Sequence, residues 1–226
     1  MLDRIRDFLK SESDKLEGKS TRQKLEYIRD YYWLQITIVV ALVSFTIFAV
    51  YRATTTLKEH WFYLMVANTR EEAGNDSALW EGYVEYTGYD LTQKMVEFND
   101  NSYFDYGNHH AAGNQYYEMF VALTDAGVLD AVTMEPDNLA SLGESGRLLD
   151  LSADQCAGIR EKYEDRFIYA VPYDTEYSED PVPIGIDVSD SILMTEYHLY
   201  ADGCALGIGA QSSNIEAVEL FLDYIF

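Results

Sequence analysis

The residues in this 226-residue chain with the chemistry to hold a metal or attack a substrate are four histidines, two cysteines and one oxygen-rich run. His60, His109, His110 and His198 miss the His-x-x-x-His and Cys-x-x-Cys spacings that aim two ligands at one zinc ion. Adjacent imidazoles share a metal only where the backbone turns both inward, so His109 and His110 are read as surface histidines opening a helix. Asn99 to Asp105 (NDNSYFD) lacks the central glycine and closing glutamate of an EF-hand loop and is read as a solvated acidic turn. The stretch GIGAQSSN, residues 207–214, has neither the Gly-Lys-Ser/Thr ending of a phosphate loop nor the three-glycine dinucleotide fingerprint. Asp202, Gly203 and Cys204 do not form a nucleophile elbow. No catalytic residue, no metal ligand and no cofactor is therefore assigned.

Cys156 and Cys204 leave two readings open. In an oxidising compartment they would close a 49-residue loop, worth roughly 4 kcal/mol in the chain-entropy account. As buried free thiols they would simply pack.

The elements that must position these residues divide at one long apolar stretch. Tyr31 to Tyr51, YYWLQITIVVALVSFTIFAVY, runs 21 residues without a charge between Asp30 and Arg52. The part from Trp33 onward spans roughly 28 Å as a helix, close to the hydrocarbon thickness of a bilayer. Gln35, Thr37, Ser44 and Thr46 are tolerable inside it because short polar side chains bond back to helix carbonyls. Tyr27, Tyr31, Tyr32 and Trp33 fit one aromatic belt and Tyr51 the other. Thirty-two residues precede Trp33 and no small-residue cleavage site follows, which favours an uncleaved anchor over a signal peptide. Lys15, Lys19, Arg22, Lys24 and Arg29 precede the span against Arg52, Lys58 and Arg70 after it, which predicts a cytoplasmic N-terminus and an extracytoplasmic C-terminal portion of a cell-membrane protein.

Charge sharpens the division. The chain carries -23 overall, and residues 53–226 hold 7 basic and 32 acidic side chains. Such a surface repels a phosphate backbone and excludes nucleic acid as a partner. With 48% hydrophobic residues and 19 tyrosines, a folded core is expected all the same. The expected layout is a leader over residues 1–30, a membrane helix over 31–52, a linker over 53–60 and an α/β unit over 61–226. Leu2, Ile5, Phe8 and Leu9 give the leader a helical stripe that would lie on the inner membrane surface, unless the serines and glycine after it leave a solvated tail.

Within the α/β unit the patterning predicts strands at Trp61–Ala67, Lys94–Phe98, Val128–Met134, Phe167–Val171, Val182–Val188 and Cys204–Ala210. Helices are predicted over 77–87, along the face Ala112, Tyr116, Met119, Phe120 and Leu123 up to Gly127, and over Pro136 onward. Ser152 with Gln155, and Ser213 with Glu216, have capping-box spacing; the second opens a terminal helix with Ile215, Val218, Leu222 and Ile225 on one face.

Two stretches resemble a known family. Ala126 to Ser152, AGVLDAVTMEPDNLASLGESGRLLDLS, resembles the segment of bacterial extracellular solute-binding proteins in which a glycine ends a helix and a strand, helix and G-x-L-x-D/P-L turn follow. Leu206 to Phe226, LGIGAQSSNIEAVELFLDYIF, is similar to their late strand, Ser-Asn turn and N-x-E-A-x-x-F-L-x-Y helix. With KLEYIRDYYW before the span and VPIGIDVSDS late in the chain, the larger likeness is to small single-pass membrane proteins of Gram-positive anaerobes that carry such a domain. The resemblance implies an α/β fold with a single mixed sheet, like one lobe of a periplasmic binding protein. Full solute-binding proteins have two lobes, so this chain offers half a cleft.

The expected function is a membrane-anchored extracytoplasmic binding or accessory domain, non-catalytic, for a small molecule or another envelope protein. A structural or assembly subunit of an envelope complex ranks second and an envelope hydrolase third. Ligands of open α/β sheets meet the carboxyl ends of strands, which nominates Asn68, Thr69, Glu135, Asp187, Ser189, Gln211 and Ser212. The lipid bilayer, through residues 31–52, is the remaining expected partner.

Overall fold

The computed structural model describes residues 6, 15, 17–55, 59–103, 114–172 and 180–226. These fall into two units, one ending at Leu57 and the other running from Lys58 to Phe226. The leader stripe, His109, His110, Ala112 and the end of the oxygen-rich run lie outside the described residues.

The first unit is the helix α1, Thr21–Thr55. It begins well before Tyr31, so the basic residues Arg22, Lys24 and Arg29 ride on its first turns. Thirty-five residues at 1.5 Å give about 52 Å, longer than a bilayer core, and the stretch through Arg52 is apolar enough to cross one. Thr37 and Thr46 donate their hydroxyls to the carbonyls of Trp33 and Leu42, at 2.7 and 2.8 Å, which removes the cost of a hydroxyl in lipid.

The second unit is mixed α/β. Its elements are β1 (Glu59–Ala67), α2 (Ala78–Thr87), β2 (Lys94–Ser102), α3 (Gln115–Asp125), β3 (Ala131–Met134), α4 (Pro136–Gly143), α5 (Ala157–Tyr163), β4 (Phe167–Ala170), β5 (Val182–Asp187), the short α6 (Ile192–Thr195), β6 (Ala205–Ile208) and α7 (Ile215–Ile225). The strands form one sheet in the order β2-β1-β3-β6-β5-β4. β1 is parallel to β2 and β3, whereas β6 is antiparallel to both β3 and β5.

Both faces of the sheet are covered, and β1 records this residue by residue. Phe62, Leu64 and Val66 enter the core with α2, α5 and α7, while Tyr63, Met65 and Ala67 enter the core with α3 and α4. A strand buried on both faces needs a continuous apolar run, and FYLMVA supplies it. On the first face Phe62, Tyr83, Phe98 and Phe221 form an aromatic cluster with centroids 5.3–6.0 Å apart. On the other, Leu139 of α4 rests on Gly185 and Gly207, which face each other across β5 and β6.

Helix ends follow local chemistry at Ser77, Gly88, Asn114 and Gly127 and depart from it at the two predicted capping boxes. Ser77 accepts the Trp80 amide at the start of α2, and Gly127, at φ +66, ends α3 as its position predicts. The Ser152 box does not form. Asp150 takes the Ser152 amide at 2.8 Å into a turn, Asp154–Cys156 is a 3-10 turn, and α5 starts only at Ala157. Nor does Ser213 cap α7, whose N-cap is Asn214.

Candidate functional site

Parallel strands point the carboxyl ends of β1, β2 and β3 to one edge, and β5 joins them because two antiparallel steps through β6 restore the direction. Five of the seven nominated residues stand at this carboxyl edge. Asn68, at φ +56, donates its amide to Ser102 O at 2.9 Å and turns the chain out of β1. The Thr69 hydroxyl donates to Glu71 O at 2.9 Å, and the Glu71 amide donates back to it at 3.3 Å. Glu135 precedes α4 without bonding a helix amide, and its carboxylate accepts Asn138 Nδ2 at 3.4 Å. Asp187 Oδ1 accepts both the amide and the hydroxyl of Ser189, at 2.9 and 2.5 Å. That hydroxyl oxygen in turn accepts the Cys204 amide at 3.1 Å, tying the turn after β5 to the residue before β6.

Gln211 and Ser212 are at the opposite edge, correcting the expectation that all seven lie together. They follow β6, whose direction against β3 carries its carboxyl end to where the parallel strands begin.

Beside the carboxyl end of β2, the loop Glu72–Ser77 is pinned along the strand. The Phe98 amide donates to Asn75 Oδ1 at 2.8 Å, and the Asn75 amide donates to Phe98 O at 3.1 Å. Asp100 Oδ2 accepts the Ala73 and Gly74 amides at 3.0 and 2.9 Å. Between loop and strand opens a concavity of about 730 Å³ lined by Glu72, Asp76, Glu97 and Asp100 among others. Asp100 is committed to the loop backbone, whereas Glu72 and Asp76 are exposed. Among the described residues no group of three or more His, Cys, Asp or Glu side chains is arranged to hold a metal ion.

The amino edge holds a second polar cluster around Asp130, which is completely buried. Its Oδ2 accepts the Tyr63 amide at 2.8 Å and faces His60 Nε2 at 3.1 Å. Its Oδ1 accepts the Ser212 hydroxyl at 2.7 Å and Asn214 Nδ2 at 3.2 Å. The hydrogen bond to Asp130 pushes the His60 pKa above its ordinary 6.5; burial opposes this, while the charges of Asp130 and Glu97 and the Val128 backbone add to it. The order of the three side chains is decisive for chemistry. A nucleophilic triad needs the imidazole between hydroxyl and carboxylate. Here the carboxylate is central, and Ser212 meets it directly with no imidazole beside the hydroxyl.

Cys156 and Cys204 are free, buried thiols, and the bridge between them is not formed. Each belongs to the apolar core shared by α2, α5 and α7. Burial pushes Cys156 up to about 11 and Cys204 well above the usual thiol range, which leaves both protonated and unreactive at neutral pH. His198 is exposed, with its Nδ1 2.8 Å from Met194 O.

Of the Asp130 cluster only Ser212 was among the nominated residues, and of the side chains lining the acidic concavity none was. Asp130 joins side chains 70 and 82 positions away in sequence, so no spacing signal exists for it. The concavity depends on a loop folding back along β2, and its Asn99, Asp100 and Asn101 come from the oxygen-rich run read as a solvated turn, which is strand as far as the buried Ser102. Compared with known proteins, the chain matches no family model, no curated protein and no solved structure.

Proposed function

We propose that this chain is a membrane-anchored binding protein that recognises a cationic ligand or a basic segment of a partner. In this reading α1 crosses the bilayer with its N-terminus inside, and the α/β unit, akin to one lobe of a solute-binding protein, works outside without catalysing a reaction. The observation that carries the reading is the gathering of Glu72, Asp76, Glu97 and Asp100 around one open concavity. The imbalance of 7 basic against 32 acidic residues over 53–226 supports it, because a field of one sign draws opposite charge and speeds encounter. The length and apolar character of α1 support the anchor.

Fluorescence anisotropy with a labelled oligolysine peptide, on the full chain in nanodiscs at low salt, tests the proposal. Each of Glu72→Gln, Asp76→Asn and Glu97→Gln should weaken binding by about two- to fivefold, the worth of a partly exposed charge pair. Glu161→Gln, on α5, is the control. An equal loss from the control would mean that net charge alone attracts the probe, and no binding by the wild type would end the proposal.

A further inference from the structure

Asp130 gathers three segments that are remote in sequence: β1 through His60 and Tyr63, its own loop before β3, and the loop before α7 through Ser212 and Asn214. What this does to α7 is specific. Asn214 occupies the N-cap position, yet its side chain makes no bond to the helix and is given to Asp130 instead. The Asn214 carbonyl accepts the Ala217 and Val218 amides, at 3.0 and 3.2 Å, and the Ser212 hydroxyl accepts the Asn214 amide at 3.2 Å. The first turn of α7 is thus held through one carboxylate.

His60 is the one titratable partner of that carboxylate able to meet solvent. Its side chain is 24% exposed and that of Asp130 is 0% exposed. The charged groups bearing on the imidazole are acidic, Asp130 before β3 and Glu97 on β2. The nearby cation of β2, Lys94, lies 3.1 Å from the ring centre of Trp61, and the loop before α7 offers only the uncharged Ser212 and Asn214. Protonated His60 therefore neutralises a buried carboxylate, whereas the neutral ring keeps at most one hydrogen bond to it. His60 is also only five residues along the chain from Thr55, the last residue of α1.

We propose that His60 and Asp130 form a pH-sensitive latch, in which protonated His60 holds β1 and the first turn of α7 on one carboxylate and deprotonation loosens them. The sign follows from linkage. A histidine that binds its proton more tightly in the folded state contributes stability that is complete below 6.5, its unfolded value, and is lost as pH rises through the folded value above it.

Native-state hydrogen exchange on the full chain in nanodiscs, from about pH 6 to about pH 9 and corrected for intrinsic rates, reads the latch directly. Amides at the start of α7 and at Tyr63 should lose protection as pH rises, while those of α4, on the other face of the sheet, keep theirs. In His60→Gln, which retains a donor but cannot titrate, protection should be independent of pH. The His60 imidazole resonance of the wild type should titrate with a midpoint above 6.5. PH-independent protection in the wild type, the same loss in His60→Gln, or a midpoint at or below 6.5 would each overturn the latch. If His60→Gln fails to fold, Ser212→Ala still decides: protection should fall at every pH and keep its pH dependence.

Discussion

Replacing Gly185 by alanine tests the packing of the sheet against α4 with a magnitude that can be worked in advance. A Cβ at Gly185 would stand 2.3 Å from Leu139 Cδ2 and 3.1 Å from Leu206 O. Leu139 is fully buried and the second contact is backbone, so relief requires the Leu139 side chain to turn within a filled core and β6 to give by a few tenths of an ångström. Gly185 is not among the residues with positive φ, so packing alone sets the cost. Overpacking a filled core costs about 1–3 kcal/mol, and the closeness of the Leu139 contact puts Gly185→Ala at about 2–3. Leu139→Ala empties the same volume and costs about 2–5 kcal/mol. Because the two changes compete for one space, the double variant should be less destabilised than their sum by about 1–2 kcal/mol. Urea titrations of the full chain in detergent, followed by near-ultraviolet circular dichroism, measure all three variants. Wild-type stability in Gly185→Ala, or strict additivity in the pair, would refute the claim that the Gly185 and Gly207 positions exist to admit Leu139.

Other expectations follow from single residues. Neither cysteine should react with Ellman's reagent in the folded protein at about pH 8, and two thiols should titrate once the unreduced chain is unfolded; rapid labelling of the native state would contradict their burial. Asn114 accepts the Tyr116 and Tyr117 amides at 3.0 and 3.4 Å, so Asn114→Ala should cost about 1 kcal/mol by the same urea assay. Phe221 is fully buried among Phe62, Tyr83 and Phe98, and Phe221→Ala should cost about 3–5 kcal/mol, appearing as a lower unfolding midpoint.

Much of the fold is legible residue by residue. FYLMVA of β1 announces a strand covered on both faces, Ser77 and Gly127 mark helix ends, and the face of α7 holds Val218, Leu222 and Ile225 in the core. Local patterns fail where a distant group takes over. Asp150 claims the Ser152 amide, and the N-cap of α7 falls one residue late, at Asn214, whose side chain Asp130 holds, so neither capping box forms. Strand direction is not written in any single strand. The antiparallel course of β6 therefore moves Gln211 and Ser212 away from Asn68, Thr69, Glu135, Asp187 and Ser189. The length of α1 was hidden by its charges, because helix continues through Arg22, Lys24 and Arg29, where apolar periodicity stops. The candidate site was the least legible part, since the concavity comes from the loop Glu72–Ser77 pairing with Phe98 and not from any motif.

The central claim is an α/β unit held outside the cell by α1, and accessibility to a membrane-impermeant maleimide tests it most directly. Glu161 is exposed on α5, and the two native thiols are buried, so Glu161→Cys adds one reactive group to a silent background. The account predicts labelling of Glu161→Cys in intact cells at the level seen after lysis. Labelling only after the membrane is broken would contradict it.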